Sequence, residues 1–365
     1  MMDPVPISLI TGFLGAGKTT LLNRLLKQGE LKDTALIINE FGDVGIDHLL
    51  VETADEEIVE LSDGCLCCTI RGDLVDTLSR LIDRGDAPKR IVIESTGLAD
   101  PAPILQAVMG HPVLSDLLRL DGVVTVVDGI NGMNTLDAHE EAVKQAAVAD
   151  RLVITKTDGD GAPADLLSRL SKLNPTAKRY DENRDRPGFD QLFDCGLYDP
   201  KTKTADVARW LNDEALHDHH HHHHDHDHDH GHHHHDVNRH DARIRAFTLK
   251  SAQPIPASTL TNFVDLLRSA HGPNLLRVKG IIQVAEQPDN PVVIHGVQQV
   301  FHPPATLPAW PDSDRDTRLV MITRDLSEDF VRKLFNAFVG NTAVDTADKQ
   351  AMENNPLAIP GHPGR

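Results

Sequence analysis

The residues best placed to do chemistry lie near the start of the chain. Gly12-Phe-Leu-Gly15-Ala16-Gly17-Lys18-Thr19 has the spacing G-x-x-x-x-G-K-[ST]. Glycines let a backbone curl so that successive N–H groups face phosphate oxygens. Lys18 adds a point charge at the β and γ phosphates. Thr19, followed by Thr20, offers a hydroxyl to Mg²⁺. Thr155-Lys156-Thr157-Asp158 has the form of a guanine-reading element with Thr in the place of Asn. An Asp carboxylate there accepts from guanine N1–H and from the 2-amino group, a donor pair that adenine lacks. Two further acids follow apolar runs: Glu40 in Asn39-Glu40-Phe41-Gly42, and Glu94 in Glu94-Ser-Thr-Gly97. At the C-terminal ends of parallel strands both face a nucleotide crevice, where they hold Mg²⁺ directly or through water, or orient the attacking water. With Lys18 and Thr19 they form the candidate catalytic set. No arginine stands out as an internal finger.

A second chemistry sits at Gly64-Cys65-Leu66-Cys67-Cys68-Thr69. Three thiols within four residues suit one borderline or soft cation. Zn²⁺ prefers four tetrahedral ligands, so one corner stays open for a carboxylate, an imidazole, water or a client's ligand. A helix over 71–84 would aim its N-terminus at the loop and favour thiolates. His217–His240 holds 15 of the 22 histidines, interleaved with Asp, and its one apolar residue is Val237. Such a stretch cannot pack and is expected to be a disordered linker. Its imidazoles suit weak, exchanging, multivalent binding of Zn²⁺, Co²⁺ and similar ions.

These groups need a frame. Short apolar runs at 7–11, 35–39, 58–61, 90–94, 123–128 and 152–155 read as buried strands. Segments of helical pattern lie between most of them, including 18–27 with Leu21, Leu22, Leu25 and Leu26 on one face. That predicts a mainly parallel sheet covered on both sides, an α/β P-loop NTPase domain. A further helix is expected over 201–216. Beyond the His-rich stretch lies a smaller α/β unit: strands at 244–250, 275–285, 292–301 and 319–323, and helices at 258–269 and 327–339, the last capped by Ser327. The expected division is 1–205, linker 206–241, second domain 242–340, and a flexible tail 341–365.

Lys plus Arg number 36 against 55 Asp plus Glu, a net charge of −19. That argues against nucleic acid and against docking on an anionic membrane. No apolar run approaches a membrane span, and no signal sequence is evident. Four cysteines, three of them within four residues, do not make a disulfide framework, which fits a cytoplasmic protein.

The motifs Thr11–Thr20, Asn39–Gly42, Gly64–Thr69, Glu94–Pro101 and Thr155–Asp158, in that order, resemble the CobW-like metallochaperone GTPases of the SIMIBI class of P-loop proteins. Leu275–Gly280 and His295–Gln299 resemble that family's C-terminal domain. The resemblance implies a GTP-dependent chaperone that binds zinc at Cys65, Cys67 and Cys68 and hands it to a client apoprotein. By comparison with the related nickel GTPases it implies Mg²⁺-linked roles for Glu40 and Glu94. Cobalt delivery for cobalamin synthesis, or metal storage or sensing with a regulatory GTP site, are the alternatives. Client and oligomeric state stay open.

Overall fold

The computed structural model describes residues 4–31, 33–38, 58–60, 69–83, 87–193, 195, 243–311 and 313–340. The expected helix over 201–216, the His-rich stretch and the tail lie outside these residues.

The first part is built on seven parallel strands: β1 (Val5–Gly12), β2 (Thr34–Ile38), β3 (Ile58–Glu60), β4 (Arg90–Glu94), β5 (Leu118–Asp128), β6 (Arg151–Thr155) and β7 (Lys178–Asp181), in the spatial order β3-β2-β4-β1-β5-β6-β7. Its central strands are apolar on both faces because helices cover both. On one side α1 (Lys18–Lys27) sets Leu21, Leu22 and Leu25 against Ile10, Leu36, Val92, Val124 and Val153. On the other side lie α2 (Thr69–Ile82), α3 (Ala102–Gly110), α4 (Leu114–Leu117), α5 (Gly132–Ala138), α6 (Glu140–Val148) and α7 (Ala164–Leu173). They cover Ile7, Leu9, Ile91, Ile93 and Ile154. Two short turns of helix, α8 (Glu182–Asp185) and α9 (Phe189–Leu192), follow β7.

β5 begins five residues earlier than its apolar run predicts. Its first half carries Arg119 and Asp121, which read as loop residues. Asp121 is nonetheless buried, accepting from Ser8 Oγ (2.9 Å) and Arg90 Nη1 (2.6 Å). β7 has a single buried apolar residue, Tyr180, and its edge position needs no more. Cys195 packs beside the start of this sheet, and burial pushes its thiol up to about 12. It should resist alkylation in the native protein and react only on unfolding; modification under native conditions, read by mass spectrometry, would contradict this packing.

The second part is an antiparallel sheet of β8 (Ile244–Ser251), β9 (Leu275–Val284), β10 (Gln287–Val297), β11 (Val300–Phe301), β12 (Ala305–Thr306) and β13 (Thr317–Arg324). The order is β11-β10-β9-β13-β8, with β12 also on β10. The expected single strand over 292–301 is two. The chain reverses after Val297 through Gln298, at φ 54°, and Val300 pairs back onto Val297. Neither glutamine of that turn is a usual turn former, so the apolar pattern hid it. One face of the sheet packs under α10 (Ala257–His271) and α11 (Glu328–Phe338) through Phe263, Leu267 and Phe335. Ser327 caps α11 as expected, accepting from Phe330 N–H. Ile244, Leu276, Val297 and Ile322 instead join the core of the first sheet. The two sheets therefore share an apolar seam.

Candidate nucleotide site

β1 runs straight into the glycine loop. Gly12 has φ 141°, and a Cβ on it would lie 2.2 Å from the carbonyl oxygen of Val126 on β5, so only glycine can turn here. Gly17, at φ 96°, precedes α1 without a side-chain cap. The first-turn N–H groups of α1 therefore remain available to an anion, and the helix dipole favours one. Gly15 also has positive φ, and Ala16 N–H closes the turn on Phe13 O at 3.1 Å. Lys18 is folded back over its own loop, donating to Gly12 O at 2.9 Å. Thr19 Oγ1 donates to Glu94 Oε1 at 3.1 Å. Glu94 is buried at the end of β4, beside β1. A hydroxyl and a carboxylate at the mouth of an anion cradle are hard oxygen donors of the kind that suits Mg²⁺. Thr20 is exposed on the next position of α1.

The second motif leaves β6 beside this loop. Thr155 is buried, and its hydroxyl donates to Ala16 O at 2.6 Å. In this structure it tethers the 155–158 segment to the glycine loop. Lys156, at φ 54°, donates to Asp128 Oδ2 at 2.7 Å. Burial works to raise the Asp128 carboxyl, but Lys156 and the N–H groups of Asn131 and Ile130 hold it below the usual range. Thr157 Oγ1 donates to Asp181 Oδ1 at 2.5 Å. Asp158 is exposed and accepts from Asn183 Nδ2 at 2.9 Å.

The strand register sets one row across the sheet edge: Ile10 beside Glu94, Glu94 beside Ile38, Ile38 beside Glu60. β2 and β3 thus end level with Glu94, just before Glu40 and the cysteine loop respectively. Glu40, Cys65, Cys67 and Cys68 themselves lie outside the described residues. Among the described residues no group of three or more His, Cys, Asp or Glu is arranged to hold a metal ion.

Both halves of the chain match known families. Residues 6–181 match the CobW/HypB/UreG nucleotide-binding domain, and residues 244–339 the cobalamin synthesis protein cobW C-terminal domain. The zinc chaperone YjiA of Escherichia coli is 30% identical over 338 residues, covering 92% of this chain and 98% of that protein. The chain belongs to the CobW family. The zinc-regulated GTPase metalloprotein activator 1 of Schizosaccharomyces pombe is 36% identical over 207 residues, 54% of this chain and 50% of that protein. The crystal structure of Zn(II)-bound YjiA GTPase from E. coli superposes with a TM-score of 0.64 at 25% identity, covering 92% of this chain and 99% of that one. The glycine loop is accordingly that of a CobW-family GTPase. No helix among the described residues is long and apolar enough to cross a membrane.

In this CobW-family chain, sequence reasoning missed the residues that brace the site. Gln145 of α6 is fully buried; its Nε2 donates to Gly97 O (3.2 Å) and Ala99 O (3.0 Å) in the loop after Glu94. Lys144 pairs with Asp100 of the same loop at 3.0 Å. A Cβ on Gly97 would strike the backbone of Leu14, so that loop lies directly on the glycine loop. His139, which precedes α6, stacks on Phe13 with centroids 4.4 Å apart. The same helix faces the second sheet: Glu140 pairs with Arg324, and Asp150, just past its end, takes Arg277 and Lys279. A Gln among the small apolar residues on the inner face of α6 was the signal of this brace.

Proposed function

We propose that this protein is a GTP-hydrolysing metallochaperone that carries Zn²⁺ on Cys65, Cys67 and Cys68 and passes it to a client apoprotein. What chiefly supports this is the register row Ile10–Glu94–Ile38–Glu60. It brings the ends of β2 and β3 level with the Glu94–Thr19 pair. With strands about 4.8 Å apart, β3 is only about 14 Å from β1. A segment leaving β2 can thus touch both a γ-phosphate and a metal held after β3. The names of the YjiA and fission-yeast relatives point to zinc. The proposed division keeps 1–205 as the GTPase domain, 206–241 as a linker, 242–340 as the second domain and 341–365 as a tail.

In this reading the N–H groups of Gly12–Thr19 and the Lys18 ammonium hold the phosphates, and Asp158 reads guanine. Thr19 and Glu94 would hold Mg²⁺, which supplies charge neutralisation at the β and γ phosphates when bound. Glu94 also stands close enough to the phosphate cradle to orient the attacking water. Glu40 links the γ-phosphate to the metal. A thiolate zinc site binds with roughly 10–16 kcal/mol, so passive release is slow; removing one ligand on hydrolysis would speed it greatly. The His-rich stretch collects metal weakly.

The test is metal competition titration in the GTP, GDP and nucleotide-free states. Changing Cys65, Cys67 and Cys68 to Ser should remove one tight site, seen as lost thiolate-to-metal charge transfer in the Co²⁺-substituted protein. Deleting His217–His240 should remove only weaker sites. GTP should tighten the cysteine site about 5–150-fold over GDP. Equal affinity in all three states, or a tight site that survives the triple change, would refute the reading.

A further inference from the structure

Among the described residues, Asn183 is the side chain that hydrogen-bonds the proposed guanine reader. Its Nδ2 donates to Asp158 Oδ1 at 2.9 Å, and an ionised carboxylate only accepts, so the amide orientation is settled by chemistry. Both residues are exposed at the sheet edge, open to a ligand.

Asn183 is also held firmly. Asp181 caps its turn, accepting from the N–H groups of Asn183 (3.0 Å) and Arg184 (3.2 Å). The same carboxylate takes Thr157 Oγ1 and, at 2.9 Å, Ala162 N–H, so the 155–162 segment and the α8 turn share one anchor. On the other side Arg24 of α1 donates to Glu182 Oε1 at 2.6 Å and to Pro187 O at 2.6 Å. α1 starts in the glycine loop, so Asn183 stands at a set place relative to both the phosphate cradle and Asp158.

A guanine presents, in order along one edge, the O6 acceptor, the N1–H donor and the 2-amino donor. The protein presents, in order, the Asn183 Nδ2 donor, Asp158 Oδ1 and Asp158 Oδ2. The two rows are complementary at all three positions. Oδ1 has two lone pairs, so it takes N1–H beside Asn183, and Oδ2 takes the 2-amino group. Adenine would set its 6-amino donor against the Asn183 donor. We infer that Asn183 is a second base-reading residue, donating to guanine O6 while Asp158 accepts from N1–H and the 2-amino group. This rests on the reading of Asp158 given above.

Analogues that differ by one edge group separate the two roles. In 6-thio-GTP a sulfur, a poor acceptor, replaces O6; ITP lacks the 2-amino group. Affinities of the full-length protein for GTP, 6-thio-GTP and ITP are to be measured for wild type, Asn183→Ala, Asn183→Asp and Asp158→Ala. The wild type should prefer GTP over 6-thio-GTP. Asn183→Ala should weaken GTP about tenfold and 6-thio-GTP by no more than about twofold, leaving the GTP-to-ITP ratio unchanged. Asn183→Asp, which sets a carboxylate against O6, should weaken GTP further. Equal loss for GTP and 6-thio-GTP in Asn183→Ala would mean that Asn183 merely positions Asp158, and would overturn the inference, as would a wild type indifferent to the sulfur. A GTP-to-ITP ratio that survives Asp158→Ala would instead overturn the reading of Asp158.

Discussion

Replacing Lys18 by Ala is expected to slow GTP hydrolysis about 10²–10³-fold while the protein stays folded. Lys18 is nearly buried, and its ammonium rests on Gly12 O at 2.9 Å, so it is already poised over the loop that would cradle the phosphates. Charge accumulates on the phosphoryl oxygens in the transition state, and a cation placed in advance needs no reorganisation to meet it. The loss corresponds to about 2.7–4 kcal/mol of barrier. The structural cost is small by comparison: hydrogen bonds to the loop carbonyls of Gly12 and Phe13, at about 1 kcal/mol each. Single-turnover GTP hydrolysis measured beside thermal unfolding separates the two. A variant that hydrolyses GTP at the wild-type rate would remove Lys18 from the site.

The largest effect on stability is expected at Asp150. This carboxylate is buried in the seam between the two sheets. It accepts from Arg277 Nη2 at 3.1 Å, from Lys279 Nζ and from Val123 N–H at 2.9 Å. Arg277 and Lys279 are themselves buried on β9. Asp150→Ala would leave two cations without their shared counter-charge, at a cost of about 3–5 kcal/mol. The exposed pair Asp289–Arg315, also at 2.9 Å, is the control: Asp289→Ala should cost no more than about 1 kcal/mol. Equal effects in urea unfolding would mean that the seam charges are not coupled as described.

Acid should act on the same group. Burial opposes ionisation of Asp150, but Arg277, Lys279 and the Val123 N–H outweigh it and hold the carboxyl far below the usual range. Its contribution is therefore complete above the unfolded carboxylate value of about 3.9 and is lost as pH falls below that toward the folded value. Wild type should lose more stability than Asp150→Ala over that acid range.

Asp150 also lies just past α6, the helix that contacts both the loop after Glu94 and the second sheet. α6 holds the loop after Glu94 through Gln145 and Lys144, and the second sheet through Glu140 and the adjacent Asp150.

The sequence by itself determined what is local. Strand and helix identities follow from apolar runs and periodicity, because burial on two faces forces a run and burial on one helix face forces a stripe. The glycine loop is legible because only glycine tolerates the backbone at Gly12 and Gly17, and the cap of α11 because Ser327 is a strong N-cap. The order of the motifs was enough to recognise the family. What depended on partners distant in the chain was decided only by the tertiary structure. The polar start of β5 looks like a loop until Arg90 and Ser8 arrive to satisfy Asp121. Thr155 reads as part of a base-reading element, and only the fold shows that its hydroxyl reaches Ala16 O of the glycine loop. Gln145, Asp150 and Asn183 are hard to read from the sequence, since each acts through hydrogen-bonded partners 25 or more residues away. A side chain's type tells what it can donate or accept; only the packed chain brings the group that answers it.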